Sequence, residues 1–309
     1  VVKEGTVVKY GLGTVGTQTV KLNATIDGNA RSWTLEVEIR EYVIYSTDWA
    51  QDGSNYNGFK GTCPVFSPDG KTTVNPVTGD IYYGTQTPGH FYAVTSEGSL
   101  KWVFEEAGSM QSAAPAVNAA GTAVYICDKS GNTFAIDAAS GQKIWNFTAG
   151  VPGGGLLVNG SELLIGAESN AFFVNIETGE QIAKVALGCK MSDITGFAVS
   201  SDKTLAYFGA ASGYIGAVDL TTHTAKTPLL AGTTNPNTIY EPVVAPNGSI
   251  FAGSKNGSVY NVKGDLSAVN WEHVHTGKAV NNTYNYSHPC VDSENRFYIT
   301  AGQTTNTSY

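Results

Sequence analysis

The sequence predicts an all-β fold, a β-propeller of six four-stranded blades preceded by a short β-hairpin. Three observations predict it. Short apolar runs alternate with polar residues, which suits half-buried strands. Clusters of Gly, Asn, Asp and Ser punctuate those runs, in a chain with 36 Gly and 14% charged residues. The run-and-turn pattern returns at a spacing of roughly 40 residues, the mark of a repeat array. A lone four-stranded meander cannot cover both of its faces. Stacking such sheets radially covers them and leaves only short edges.

In chain order, residues 1–43 stand apart. TQTVKLNATIDG and SWTLEVEIREY read as two strands joined at Asp27-Gly28. This stretch resembles the closing hairpin of an Ig-like or PKD-type surface module, although a complete sandwich needs about 100 residues. The other reading is that a strand within Trp33–Tyr45 completes the last blade, and the sequence leaves both open. Residues 44–309 are assigned to the propeller.

The first repeat is read over Thr62–Phe104, with CPVFSPDG as its first strand. The second spans Ala113–Phe147, the third Gly154–Ala186, the fourth Gly196–Leu230 and the fifth Glu241–Val274. The sixth begins at His288 and holds PCVDSEN and RFYITAGQ.

The second repeat carries the clearest motif, Ala135-Ile-Asp137-Ala-Ala-Ser-Gly141-Gln-Lys-Ile-Trp145. Gly141 permits a tight turn. Asp137 can accept from that turn's N–H groups. Trp145 offers a flat surface to a neighbouring sheet. Trp102 and Trp271 keep the tryptophan, Ala183 replaces it, and Asp219 survives in the fourth repeat without the glycine.

The motif resembles the A-x-D-x-x-T-G-x-x-x-W repeat of the PQQ-like propellers, and Trp49 with its Gly-containing loop is similar to their lead-in segment. The resemblance implies a propeller over nearly all of Trp49–Tyr309. That family holds quinoprotein dehydrogenases and non-catalytic scaffolds, among them an outer-membrane assembly lipoprotein. Its dehydrogenases carry eight blades, a vicinal Cys-Cys disulfide, Ca²⁺ and a catalytic Asp. This chain has no adjacent cysteines and too few repeats. The resemblance therefore points to the non-catalytic kind, with no cofactor and no catalytic residue.

Bulk chemistry narrows the partners. The net charge of −8, without clustered Lys or Arg, disfavours nucleic acid. No apolar run is long enough to insert in a bilayer. Val1 is not a natural start, so a removed leader or an upstream lipid anchor fits, and the expected location is extracellular, cell-surface or periplasmic. Cys63, Cys127, Cys189 and Cys290 are far apart, which argues against zinc. Cys63 and Cys290, read in equivalent first strands, are the one pair to test. His273 and His275 fall on one strand face at a spacing that can hold a metal, but an outer strand with solvated imidazoles is the plainer reading, and no metal site is assigned. The Asn-x-Ser/Thr sites suit Gly/Asn-rich turns and carry no inference of glycosylation.

Candidate binding residues lie in the loops that lead into the blades: Tyr56 and Asn57 before the first, Met191 and Asp193 before the fourth, and Tyr240 before the fifth. Tyr284, Tyr286 and His288 precede the sixth. Flat rings and amides suit a protein or glycan partner. An alternative is a polysaccharide lyase or hydrolase acting in the channel through Asp193, Tyr240, Tyr286 and His288. A third is a pure assembly spacer.

Overall fold

Strand pairing in the computed structural model follows the repeat pattern. The structure describes residues 16–26, 28–39, 74–84, 89–109, 114–150, 153–191, 196–232, 237–255, 257–274, 284–286, 289–299 and 301–303. Two compact units divide the chain, Val1–Gln51 and Asp52–Tyr309.

The first unit holds one antiparallel hairpin, β1 (Gly16–Ile26) with β2 (Asn29–Ile39). Gly28 takes φ +78° at the turn, where a residue with a Cβ would be strained. Trp33 to Ile39 is thus paired with β1.

In the second unit, β3 (Ile81–Gly84), β4 (Phe91–Val94) and β5 (Leu100–Phe104) form the first sheet. β6 (Ala116–Val117), β7 (Ala123–Cys127), β8 (Asn132–Asp137) and β9 (Lys143–Thr148) form the second. β10 (Gly153–Asn159), β11 (Glu162–Ala167), β12 (Asn170–Asn175) and β13 (Gln181–Ala186) form the third. The fourth contains β14 (Phe197–Val199), β15 (Leu205–Gly209), β16 (Tyr214–Asp219), β17 (Thr224–Ala225) and β18 (Leu229–Leu230). β19 (Val243–Val244), β20 (Ile250–Gly253), β21 (Ser258–Val262) and β22 (Val269–Val274) form the fifth. In the sixth repeat, β23 (Tyr284–Tyr286) pairs with β26 (Ala301–Gln303), and β24 (Cys290–Val291) pairs with β25 (Phe297–Tyr298) inside it. The result is one interrupted hairpin.

Two expectations need correction. In the first repeat, the residue that pairs with Ile81 is Val74, across a turn at Asn75–Asp80. The expected first strand near Cys63 lies outside the described residues, and with it the pairing of Cys63 with Cys290. Cys189 is half-buried and Cys290 exposed, and neither is in a disulfide among the described residues. In the fourth repeat the outer strand is split: β17 pairs with Val218 and Asp219, and β18 with Tyr214 and Ile215. Pro228 lies in the gap and has no N–H to continue the ladder.

The core lies between the sheets. Alternation along a strand sends adjacent residues to different clusters. Val124 and Ile126 join Tyr82, Phe91 and Trp102 of the first sheet. Tyr125 and Cys127, from the same strand, join Leu163, Ile165 and Phe172 of the third. Two further clusters join the third sheet to the fourth and the fourth to the fifth. Inner strands such as β7 are therefore buried on both faces. This is the serial face-to-face stacking that a propeller requires.

Candidate functional site

The motif residues act at the joints between sheets. Asp137 Oδ1 accepts from the backbone N–H of Ala139 at 3.1 Å and of Ser140 at 2.7 Å, and from the Ser140 hydroxyl at 2.7 Å. These bonds, the Ser140 hydroxyl foremost, hold its carboxyl below the usual range. Asn175 and Asp219 make the same turn in the next two repeats. Trp102 of the first sheet donates its indole N–H to Ala138 O at 3.1 Å, and Trp145 of the second donates to Ile176 O at 3.0 Å. Each acceptor follows the Asp or Asn that starts the turn. Gly141 and Gly179, both at φ +74°, lie under these rings, where an added Cβ would sit 2.7 Å from ring carbons. Ala135 is fully buried opposite Trp145.

The third-to-fourth joint is built otherwise. Ala183 takes the tryptophan position and His223 the glycine position, at φ +52°. The His223 ring lies 4.1 Å from the Phe173 ring, and its Nε2 is 3.1 Å from Glu162 Oε2. Sequence reasoning saw a lost motif here and missed this substitute. A histidine forced to the left-handed position gives no local signal.

The lead-in residues fall into one register. Met191 bridges Ala210, Ile239 bridges Ser254, and Tyr286 pairs with Ala301, the same step in three repeats. Met191 is not on a rim surface. It is 2% exposed and packs with Leu187, Phe197 and Phe208, its sulfur against Gly166. Ile239 is fully buried. Tyr286 thus holds a register position that two other repeats use for the core. Tyr240 is half-buried. Its N–H donates to Gly253 O, and burial pushes its phenol up to about 12. Gly209 lets the chain pass there, since an added Cβ would lie 2.2 Å from Tyr240 O. Cys189 is half-buried, and burial raises its thiol to about 11, away from the reactive thiolate. Tyr284 lies in β23 beside Tyr286, paired with Gln303. Tyr56, Asn57, Asp193 and His288 lie outside the described residues, as does His275; His273 is exposed.

The described aspartates serve turns or ion pairs. Asp128 is buried and accepts from the N–H groups of Gly108, Ser130 and Asn132. Asp202, Asp265 and Asp292 bind N–H groups of their own turns, and Asp80 pairs with Lys101 at 2.7 Å. Among the described residues no three His, Cys, Asp or Glu groups converge on a metal position, and no helix is long and apolar enough to cross a membrane.

Residues 30–273 match the protein family described as outer membrane protein assembly factor BamB. Among solved structures the chain is similar to BamB from Moraxella catarrhalis, with a TM-score of 0.59 and 20% identity over 74% of this chain and 69% of that one. It is also similar to a europium-containing methanol dehydrogenase, with a TM-score of 0.51 and 13% identity over 63% of this chain and 49% of the other. At these identities the likeness is one of fold. No curated protein sequence gives a significant match.

Proposed function

This chain belongs to the family of outer membrane protein assembly factor BamB, and from that membership we propose that it is a non-catalytic, protein-binding scaffold of the bacterial cell envelope. The proposed architecture is six blades, with the partner held by the loops at one mouth of the ring, around Tyr240 and Tyr284. The carrying observation is the family match over residues 30–273. The placement of the carboxylates supports it. Those of Asp128, Asp137 and Asp219 are taken up by backbone N–H groups of turns, which is structural work. The envelope location, periplasmic or cell-surface, fits the net charge of −8 and the family's description.

Site-specific photo-crosslinkers at Tyr240 and Tyr284, compared with one at exposed Ile144 on the outer strand β9, test this reading in intact cells. The expected result is a discrete protein adduct from the first two positions and none from the third. An adduct from Ile144 alone, or purified chain that cleaves polysaccharide, overturns it.

A further inference from the structure

Four repeats place glycine at one step near the end of their second strand. Gly84 pairs with Phe91, Gly166 with Ala171, Gly209 with Ile215 and Gly253 with Val259. None of the four takes positive φ, so conformation does not call for glycine there. At two of them space does. An added Cβ on Gly166 would collide with Met191 Sδ, and one on Gly209 with the carbonyl oxygens of Ile239 and Tyr240. In both cases the collision is with the segment that leads into the next repeat.

The second repeat shows the complementary arrangement. Cys127 stands at this step, paired with Thr133. The segment leading into the third repeat is Gly153-Gly154-Gly155, and Gly153 pairs with Ala167 as Met191 does with Ala210. Bulk is carried by the strand or by the segment that follows, not by both, as close packing requires.

At Gly209 the neighbour is backbone, which cannot yield by turning a side chain. Ile239 N–H donates to Ala210 O at 3.0 Å, Tyr240 N–H to Gly253 O at 2.9 Å, and Lys255 N–H to Thr238 O at 2.8 Å. Residues 238–240 are therefore stitched to the fourth sheet on one side and the fifth on the other. A methyl group at 209 would push them outward against all three bonds.

We propose that Gly209 is the positioning residue for Tyr240 at the mouth of the ring. By leaving room for the Ile239 and Tyr240 carbonyls, it fixes where the phenol ring meets a partner. The inference rests on the reading of Tyr240 as a partner contact given above.

The test is Gly209→Ala in the full chain, matched with Gly216→Ala. Both glycines are buried in the fourth sheet, and an added Cβ on Gly216 meets the Phe208 ring instead. Amide exchange gives a readout that needs no partner. In the unsubstituted chain the Tyr240 N–H should exchange as slowly as the amides of β15 and β20. Gly209→Ala should speed it at least about tenfold more than the amides of β11 and β12, and Gly216→Ala should not. The photo-crosslinker at Tyr240 should lose its protein adduct in the Gly209→Ala chain and keep it in the Gly216→Ala chain. Fast, loop-like exchange at Tyr240 in the unsubstituted chain overturns the proposal, even where neither variant folds. An equal rise in all strands of Gly209→Ala, the mark of a glycine that serves only the core, overturns it too, as does an adduct that survives the substitution. An unsubstituted chain that gives no adduct at Tyr240 defeats the partner reading instead, and the exchange rates alone then decide the role of Gly209.

Discussion

Trp145 and Trp271 occupy the same step of two sheets in one chain, yet one is 8% exposed and the other 45%. Each faces an aromatic ring of its own sheet at 5.8 Å. Among the described residues what separates them is the next sheet, which gives Trp145 a glycine floor and a carbonyl. Burial here is a property of the joint and not of the residue. A tryptophan in a repeat motif contributes stability only when the following repeat supplies the turn.

The largest test of this contrast is truncation. Trp145→Ala should cost about 3–5 kcal/mol, as expected for a buried aromatic. Trp271→Ala should cost less than about 1 kcal/mol, as for most exposed sites. Urea unfolding of both variants measures the gap, and equal losses would break the comparison. Next comes the floor itself. Gly141→Ala places a Cβ 2.7 Å from the Trp102 ring at φ +74°, whereas Gly248→Ala, at φ +81°, meets nothing within 4 Å. The first should cost about 2–4 kcal/mol and the second about 1, the backbone strain alone.

A third test moves the comparison to the lead-in segments. Tyr286 shares its register with buried Met191 and Ile239. Met191→Ala should therefore lower stability by about 2–5 kcal/mol, and Tyr284→Ala should weaken partner binding at unchanged melting temperature. The smallest effect is electrostatic. Asp137 is held below its ordinary range by the Ser140 hydroxyl and N–H groups. Its contribution is therefore complete above the unfolded carboxylate value, about 3.9, and is lost as pH falls through the lower folded value. Asn175 does the same work without a charge. Asp137→Asn should thus flatten the fall in melting temperature below about pH 4, with little change at neutrality. A steeper fall would contradict the turn assignment.

Strands and turns of the second to fifth repeats were legible because period-two alternation and turn residues are both local signals. The roles of Asp137, Gly141 and Trp145 were legible for the same reason. Other features depend on distance. Asn75-Pro-Val-Thr-Gly79 makes the same turn as Asn175 to Gly179, yet it joins the first two strands of its repeat and not the last two. Turn chemistry names the turn and not the strands beside it. Met191 reads as a loop residue because its bridge is a single pair, to Ala210, too short for any period to show. Its burial is decided by Phe197 and Phe208, which only the folded chain brings to it.

The forward reach of the indoles gives the array a polarity. Trp102 clasps the second sheet and Trp145 the third, always toward the C-terminal neighbour. Peeling away the second sheet unseats Trp102 of the first, and peeling away the third unseats Trp145 of the second. Fraying should therefore travel toward the N-terminus, as a zip opens from one end only.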